Sequence, residues 1–433
     1  MKRIWGFICV TTIFLNTTAQ IIANDSATTS SENKDMTFYS LQTGQKAVVA
    51  NNDWHLALSV RPSVFPSNTL QGASLRINEA YGMHVYVIPG FTADSFNAPI
   101  DTAGFHIWER VYDSDSILDE GAFNTGYNIG TFYYGWGFYT GAPQHSVVGN
   151  KVYLLQLTNR IVKKMWIESL DRDTAWNIKV ADLDNSNPQS IHIGKRDYPG
   201  KNYVYVNLQN YNVYDKEPLS ADWDLQFLKY AALDVDPFNP SPIVGVWTNK
   251  GRTVAKRKGV NASSNDYSGL TFSPSMNRIG WNWKYAVSNV QYLSGKNFTF
   301  RDGYFSMEDS LAYFVQSLSG DVYKIVFTGY GGYSTGVTRF YKEKLTNTAI
   351  SETEIQSSIS IFPNPANGAL NVVLNSSSVT LKVFDISGRE ISEHTTSDNI
   401  FQLSTAEFAN GVYLLAVTDA KGNKSSTRFI VSH

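Results

Sequence analysis

Cysteine is almost absent from this chain, and charge is scarce. Of its 433 residues one, Cys9, is a cysteine and 17% are charged, against about 25% charged residues in an average soluble domain. The 36 basic and 38 acidic side chains nearly cancel, so no basic field exists to attract nucleic acid or an anionic membrane. No apolar run reaches the ~20 residues of a membrane-spanning helix. A disulfide scaffold, a cysteine–metal site, a nucleic-acid-binding protein and a transmembrane segment are therefore not expected.

Residues 1–19 have the pattern of a secretory signal peptide. Basic residues precede an apolar stretch from Ile4 to Leu15, and small residues follow up to Ala19. Such a stretch is typical of a signal peptide and too short for a membrane anchor. Cleavage after Ala19 removes Cys9 and leaves a chain without a thiol. The next segment, residues 20–35, is rich in Ser and Thr and has no hydrophobic period, which predicts a flexible leader.

Short runs of β-forming residues dominate the rest of the chain. Aromatic residues make up 14% of it, and runs such as Val152 to Leu157 and Tyr203 to Leu208 alternate with turn residues. No helical pattern extends beyond about three turns. The composition and the pattern together predict an all-β protein.

Two stretches of the chain carry the same landmarks in the same order. The run Asn52 to Leu58 recurs as Ala221 to Phe227, and five positions between Tyr153 and Ile167 are matched 160 residues later. Ordered self-similarity of this kind indicates a duplicated unit. We therefore predict two tandem β units, residues 36–199 and 200–345, each with a closing β-hairpin. The second unit is predicted to end in a three-stranded meander.

A third segment follows a polar linker. The linker, residues 346–358, has few large side chains, and residues 359–433 carry their own short strands, which predicts a small antiparallel β-sandwich. Four motifs occur in this segment in order: Phe362-Pro363-Asn364-Pro365-Ala366, Val383 to Arg389, Asn410 to Leu415, and Ser426 to Val431. With them the segment resembles the type A C-terminal sorting domain of type IX secretion cargo. The resemblance implies the type IX secretion machinery as a partner, export across the outer membrane, and an extracellular or cell-surface location.

The duplicated part resembles the HmuY-like family of haem-binding proteins of Gram-negative cell surfaces. The strand Trp223 to Tyr230 and the hairpin Tyr313 to Phe327 carry the resemblance, and the first copy matches it more loosely. The family consists of all-β haem scavengers that hold the iron between two axial His or Met side chains. The resemblance thus implies haem as a cofactor.

Four residues are candidates for the axial ligands of such a haem. In the family one ligand lies shortly before the closing hairpin, where His145 stands, and His106 is its candidate partner. The second copy has no histidine, so Met307 and Met276 are weaker candidates as softer ligands there. An ordinary structural role, as a hydrogen-bonded His or a core Met, is the open alternative for each.

The sequence predicts no enzyme, no catalytic residues and no metal site. Gly332 to Gly336 matches G-x-S-x-G, but a β-rich run follows where a nucleophile elbow needs a helix. Metalloprotease, P-loop and dinucleotide-binding patterns are missing. Two binding hypotheses stay open: a secreted haem or porphyrin binder, and an adhesin or glycan-binding protein that keeps the scaffold without haem. The second rests on the many aromatic rings, which stack on sugars as well as on porphyrins.

Overall fold

The computed structural model describes residues 22–62, 70, 72–127, 132–233, 240–259, 263–287, 304–345, 360–374, 378–398, 400–419 and 424–433. The predicted signal peptide and linker lie outside these residues. The chain divides at residue 346 into two compact units, which we call the body and the tail domain.

The body is built of strands, so the all-β prediction is confirmed. Its strands are β1 (Ile22–Thr28), β2 (Asp35–Tyr39), β3 (Lys46–Ala50), β4 (Leu56–Ser59), β5 (Leu75–Ile77), β6 (His84–Thr92), β7 (Arg110–Val111), β8 (Gly137–Tyr139), β9 (Val147–Gly149), β10 (Lys151–Gln156), β11 (Val162–Asp171), β12 (Ala175–Ala181), β13 (Gln189–Gly194), β14 (Tyr203–Val206), β15 (Val213–Tyr214), β16 (Leu225–Ala232), β17 (Ser241–Thr248), β18 (Thr253–Lys258), β19 (Lys284–Val287), β20 (Tyr304–Met307), β21 (Leu311–Gln316), β22 (Val322–Tyr330) and β23 (Val337–Leu345).

The helices that accompany these strands are single turns. The α-helix is α1 (Gly332–Thr335), and the 3-10 turns are Ser31–Asn33, Glu79–Tyr81, Ala93–Ser95, Phe105–Ile107, Ala122–Asn124 and Lys195–Asp197. Among the described residues, no helix combines the length and the apolar character that crossing a membrane requires.

The sheets of the body form two matching sets. One set has a large sheet in the order β13-β12-β11-β10-β6-β7, to which β8 and β9 are added, and a four-stranded sheet β15-β14-β4-β5. The other set has the sheets β1-β23-β22-β21-β18 and β3-β2-β16-β17. Nine strands of each set correspond in order, with β1, β2 and β3 of the second set in the positions of β13, β14 and β15 of the first, while β7, β8 and β9 extend only the first large sheet and β19 pairs separately with β20. The meander β21-β22-β23 is confirmed within this arrangement.

The two sets have the same strand register in the hairpins that carry the repeat. Tyr153 pairs with Met165 across β10 and β11, and Tyr313 pairs with Ile325 across β21 and β22. Both members of the second pair follow the first by 160 residues, the offset found in the sequence. Alternate side chains of a strand face opposite sides of the sheet, so an equal register places the repeated residues on equivalent faces.

Equivalent side chains also make equivalent contacts in the four-stranded sheets. Trp54 meets Tyr205 edge-on, with ring centroids 5.0 Å apart and planes at 68°. Trp223 meets Phe38 in the same way, at 4.9 Å and 66°. These rings belong to one aromatic cluster that contains residues of both four-stranded sheets, while each copy has a separate core of its own.

His55 and Asp224 occupy equivalent positions of the repeat, and each accepts a hydrogen bond from a backbone N–H. The Nδ1 atom of His55 accepts the backbone N–H of Leu208 at 3.1 Å, and Oδ2 of Asp224 accepts the N–H of Leu41 at 2.8 Å. Both side chains are buried. Burial lowers the pKa of His55 to about 4, which keeps the imidazole neutral and able to accept this hydrogen bond. His55 is a structural acceptor.

Strand pairing crosses the predicted boundaries of the two units. The hairpin β2–β3 lies in the first predicted unit but completes the four-stranded sheet of the second copy, because β2 pairs with β16. The hairpin β14–β15 completes the sheet of the first copy through β4. Residues 22–50 thus belong to the second structural copy and residues 203–214 to the first. Apolar alternation specifies which face of a hairpin is buried but not which strand lies beside it.

Residues 22–35 differ from the predicted flexible leader. β1 pairs with β23 along its whole length, from Ile22 opposite Glu343 to Thr28 opposite Val337. Asp25 anchors it further, since the hydroxyl of Tyr39 and the ammonium of Lys46 each donate to this carboxylate at 2.6 Å. β1 is an edge strand, and edge strands need little apolar alternation, which is why the sequence pattern missed it.

The tail domain consists of two antiparallel sheets. Its strands are β24 (Ser360–Phe362), β25 (Ala369–Val373), β26 (Val379–Asp385), β27 (Glu390–Thr396), β28 (Ile400–Ser404), β29 (Gly411–Asp419) and β30 (Lys424–Val431). They pair as β24-β25-β28 and β27-β26-β29-β30. Side chains from both sheets, among them Leu370, Leu403 and Leu415, form one apolar core, as expected for a sandwich.

The Pro-Asn-Pro-Ala motif of the tail domain covers the edge of its last strand. Oδ1 of Asn364 accepts the backbone N–H of Ile430 at 2.8 Å. Ala366 is fully buried and donates its N–H to the carbonyl of Ile430 at 2.7 Å. These bonds satisfy backbone groups that an edge strand otherwise leaves open. The motif therefore has a structural role in this chain, which is to satisfy the backbone of the last strand.

Candidate functional site

His145 lies in the exposed loop between β8 and β9. Its Nδ1 atom is 2.5 Å from the hydroxyl of Tyr139, and the Tyr139 ring is 5.7 Å from that of Phe132. In many metal sites the ring nitrogen that does not bind the metal makes a hydrogen bond like this one, and that bond orients the imidazole. His145 thus has one feature of a ligand, but it lies on the surface and not in an apolar slot.

The proposed partner of His145 lies in a different part of the same copy. His106 is exposed in the turn Phe105–Ile107, where its ring lies 3.8 Å from that of Phe105. Phe105 packs edge-on against Tyr86, which pairs with Leu154 in the middle of β10. His145 precedes β9 and contacts β8. The two histidines are held by separate elements.

The methionine candidates have core positions. Met276 is 2% exposed, and its backbone is fixed on both sides, with the N–H donating to the carbonyl of Ser116 and the carbonyl accepting from Thr248. Met307 ends β20 opposite Lys284 and packs against the core of the second copy. Both fill the role that methionine commonly has in an irregular core.

A cavity between the two four-stranded sheets does not have the size for a haem. It is lined by Phe38, Trp54, Tyr205, Trp223 and Trp247 and by several polar residues, and its volume is about 60 Å³. Ligand pockets for molecules of drug size are about 300–1,000 Å³. The four axial candidates are absent from its lining. This cavity is therefore not the haem site that the resemblance implies.

A second, larger cavity lies on the second copy, and we call it the groove. Its volume is about 240 Å³, and it is lined by Tyr230, Lys256, Ser273, Ser275, Asn277, Arg278, Gly280, Trp281 and Asn282. One wall is the segment 273–282, which crosses two strands of the copy. The other wall is formed by Lys256 of β18 and Tyr230 of β16.

Two backbone bridges hold the segment 273–282 in place. Ser273 exchanges hydrogen bonds with Val254 of β18, at 2.9 Å each, and Gly280 exchanges them with Val246 of β17, at 2.9 and 3.1 Å. Gly280 has a φ of 62°, a conformation that glycine adopts without strain. A Cβ atom at Gly245 would lie 2.6 Å from the carbonyl oxygen of Gly280, so the close crossing requires glycine at this position too.

The groove is positively charged. Lys256 and Arg278 both line it, and no Asp or Glu is among the lining residues. Burial lowers the pKa of Lys256, and the positive charges of Arg278 and Lys258 lower it further, against the attraction of Glu308. Glu308 is itself paired with Lys258 at 2.7 Å. Two cations thus share the groove, and the carboxylate near them is engaged elsewhere.

The other lining groups are rings, hydroxyls and amides. Trp281 and Tyr230 supply aromatic rings, and two serines and two asparagines supply donors and acceptors. The hydroxyl of Ser275 donates to Oδ1 of Asn277 at 2.8 Å, which orients that amide. Rings, small polar groups and cations together suit a polar anionic ligand.

Sequence analysis missed Lys256 and Arg278. The ligand argument singled out Met276, two residues before Arg278, but nothing in the pattern connects Arg278 with a lysine on a strand 22 residues earlier in the chain. The cluster of Ser and Asn from Ser273 to Asn282 was the available signal. In the described parts of the chain, no group of three or more His, Cys, Asp or Glu side chains is arranged to hold a metal ion.

Known proteins resemble parts of this chain. An endo-acting ulvan lyase of Formosa agariphila is 30% identical over 79 residues, which are 18% of this chain and 15% of that enzyme. Two solved structures from Porphyromonas gingivalis are 10% identical: PorZ, a surface component of the type IX secretion system, with a TM-score of 0.17 over 67% of this chain and 44% of PorZ, and dimeric latent PorU, with a TM-score of 0.14 over 66% and 31%. The chain spans less than half the length of each, and the TM-scores support no conclusion about fold.

One match identifies the tail domain. Residues 360–432 match the family described as the secretion system C-terminal sorting domain, which confirms the prediction made for residues 359–433. The HmuY-like resemblance of the body stays a prediction. The tail domain is a C-terminal sorting domain, and through it the chain is exported by type IX secretion to the cell surface or the extracellular space.

Proposed function

We propose that the exported body is a binding protein and that its groove holds an acidic saccharide. The observation that carries the proposal is that Lys256 and Arg278 line one cavity together with Trp281, without a carboxylate among the lining residues. A sulfate or carboxylate group on a sugar would neutralise both cations through charge-assisted hydrogen bonds. The sugar ring itself would stack on an aromatic face.

Binding without catalysis is the function that these residues support. Glycoside hydrolysis needs two carboxyl groups about 5–10 Å apart, and the groove lining supplies none. The lining also offers no histidine as a general base. We therefore propose capture or adhesion, in line with the chain's location outside the cell.

We expect the chain to bind dextran sulfate and not uncharged dextran, which has the same backbone. Lys256→Glu and Arg278→Glu should each weaken binding at least tenfold, because a repulsive charge replaces an attractive one. Binding should also weaken with salt, since partly exposed charges are screened at about 10 Å in 0.1 M salt. Calorimetric titration of the full chain at two salt concentrations measures both effects.

The matched control is Lys179→Glu, which makes the same change of charge in the first copy. Lys179 lies on β12, 43% exposed, and pairs with Glu168, far along the chain from the groove residues. Equal losses in all three variants would mean that only net charge matters, and the groove proposal would be wrong. Unchanged binding in Lys256→Glu and Arg278→Glu would also refute it.

Haem binding is the second candidate function, and the contact between His145 and Tyr139 favours it. If Nδ1 of His145 donates to the Tyr139 hydroxyl, Nε2 keeps a lone pair for iron. Titration of the chain with haemin should then sharpen and shift the Soret band, and His145→Ala should abolish the shift. His192→Ala is the control, because His192 is likewise exposed and hydrogen-bonded, to Asn177. An unchanged Soret band in the unaltered chain would exclude haem.

A further inference from the structure

The four-stranded sheet of the tail domain leaves an apolar area on its outer face. Along β29 the side chains alternate, with Tyr413 and Leu415 buried and Val412 and Leu414 turned outward, 42% and 39% exposed. On β30, Ile430 is 44% exposed. In a sandwich the outward positions are ordinarily polar, so three outward aliphatic residues on neighbouring strands depart from that pattern.

These side chains form one continuous area. Val412 pairs directly with Ile430, and Leu414 pairs with Phe384 of β26 on its other side. Directly opposed residues of antiparallel strands have Cβ atoms about 5 Å apart. We call the area formed by Val412, Leu414, Ile430 and the half-buried Phe384 the aliphatic face.

A basic side chain elsewhere on this sheet is already paired. Lys382 lies between Glu390 and Glu393, at 3.0 and 3.1 Å. Arg428 differs: it is exposed, pairs across the strands with Leu414, and has no ion pair among the residues that the structure describes. The aliphatic face therefore borders on a cation whose charge is available to a partner.

We propose that the aliphatic face, with Arg428 at its border, is the surface by which a protein of the export machinery recognises the tail domain. The tail domain is a sorting domain and must be recognised by that machinery, and this area combines exposed apolar side chains with an unengaged charge. The partner surface is expected to be apolar at its centre, as interface cores are, and to present a carboxylate opposite Arg428. This assignment is independent of the ligand of the body.

Substitutions on the face should stop export without unfolding the domain. In the full chain, Leu414→Glu and Ile430→Glu should each lower the amount at the cell surface and in the medium at least tenfold, with the protein retained in the periplasm. Arg428→Glu should also lower export. Leu414→Met keeps an apolar side chain and should be exported like the unaltered chain. The measurement is immunoblotting of medium, surface and periplasmic fractions.

Two exposed apolar positions away from the face are the matched controls. Ile386→Glu changes a turn residue that is 88% exposed, and Ile400→Glu changes a residue of the other sheet that is 57% exposed. Both should be exported normally. Normal export of Leu414→Glu, or equal loss of export in the controls, would overturn the proposal.

Loss of folding is distinguished by a second measurement. Retained variants should resist limited proteolysis of the tail domain as the unaltered chain does. If Leu414→Glu is degraded, the smaller changes Leu414→Ser and Val412→Ser are compared. Export of both at normal levels, with the domain protease-resistant, would likewise refute recognition by this face.

Discussion

A chain that ends at residue 359 is expected to stay in the periplasm. The sorting domain supplies the recognised element, so its removal should leave the body folded but not exported. The stronger test is a single substitution inside the domain. Leu415→Asp places a carboxylate at a core position that is 0% exposed, and burial of an unpaired charge is costly enough to unfold a small sandwich.

Fractionation of cells that produce these variants checks the prediction. Both the truncated chain and Leu415→Asp should be missing from the surface and the medium, a loss of about two orders of magnitude or to the detection limit. Lys382→Ala is the control, since it changes an exposed ion pair whose contribution to stability is about 0–1 kcal/mol. Surface display of the truncated chain would contradict the role given to the tail domain.

Removing the carboxylate of Glu217 should destabilise the body strongly. Its two oxygens accept four hydrogen bonds, from the backbone N–H groups of Asn202 and Tyr203 at 3.1 and 2.7 Å, from Nδ2 of Asn202 at 2.5 Å and from Nε1 of Trp223 at 3.2 Å. These donors come from β14 and the residue before it in one copy and from Trp223, two residues before β16, in the other. Glu217→Ala leaves buried donors unsatisfied, which should cost about 3–4 kcal/mol.

Tryptophan fluorescence during urea unfolding measures this loss in the full chain. All tryptophans after Trp5 lie between residues 54 and 283, and the tail domain has none, so the signal reports on the body alone. Glu109→Ala, at an exposed position, should change the free energy of unfolding by no more than about 0.5 kcal/mol. A similarly small change in the free energy of unfolding of Glu217→Ala would show that the hydrogen bonds to Glu217 do not hold the two copies together.

The same carboxyl group should make the stability of the body depend on pH. Burial raises the pKa of Glu217 to about 7 from its usual 4.5, although its hydrogen bonds oppose the shift. Folding then takes up a proton between these two values, so the free energy of unfolding should fall as the pH rises from 4.5 through 7. Glu217→Gln cannot titrate and should show a flatter profile over this range.

The sequence was sufficient to predict the all-β class, because that class is written in local patterns, and the ordered repeat is visible in the same way. The 160-residue offset between Tyr153 and Tyr313 is also the offset between the registers of their strand pairs. The tail domain was predicted from motifs whose residues, such as Asn364, make specific contacts. The motifs are short runs that can be recognised locally, although Asn364 contacts Ile430, 66 residues away.

Long-range partnerships could not be predicted in this way. Nothing local in residues 22–50 shows that they pair with β16 and β23, and nothing in Lys256 shows that Arg278 lies near it. The repeat itself favoured the wrong assignment, because a hairpin next to the first copy in sequence was assigned to that copy. The sequence shows that His55 and Asp224 occupy equivalent positions. Only the structure shows why: each accepts a backbone N–H, from Leu208 and from Leu41.

The use of residues 22–50 to complete the second copy has a consequence for the order of folding. Residues 22–50 are synthesised long before the strands with which they pair: Thr29 bonds to Gly336, 307 residues later in the chain. Contacts between residues so far apart in sequence make a fold slow to assemble. Until residues 22–50 pair, β16 and β23 each have an unpaired edge. A circular permutant in which residues 22–50 follow residue 345 would shorten that wait and should refold faster.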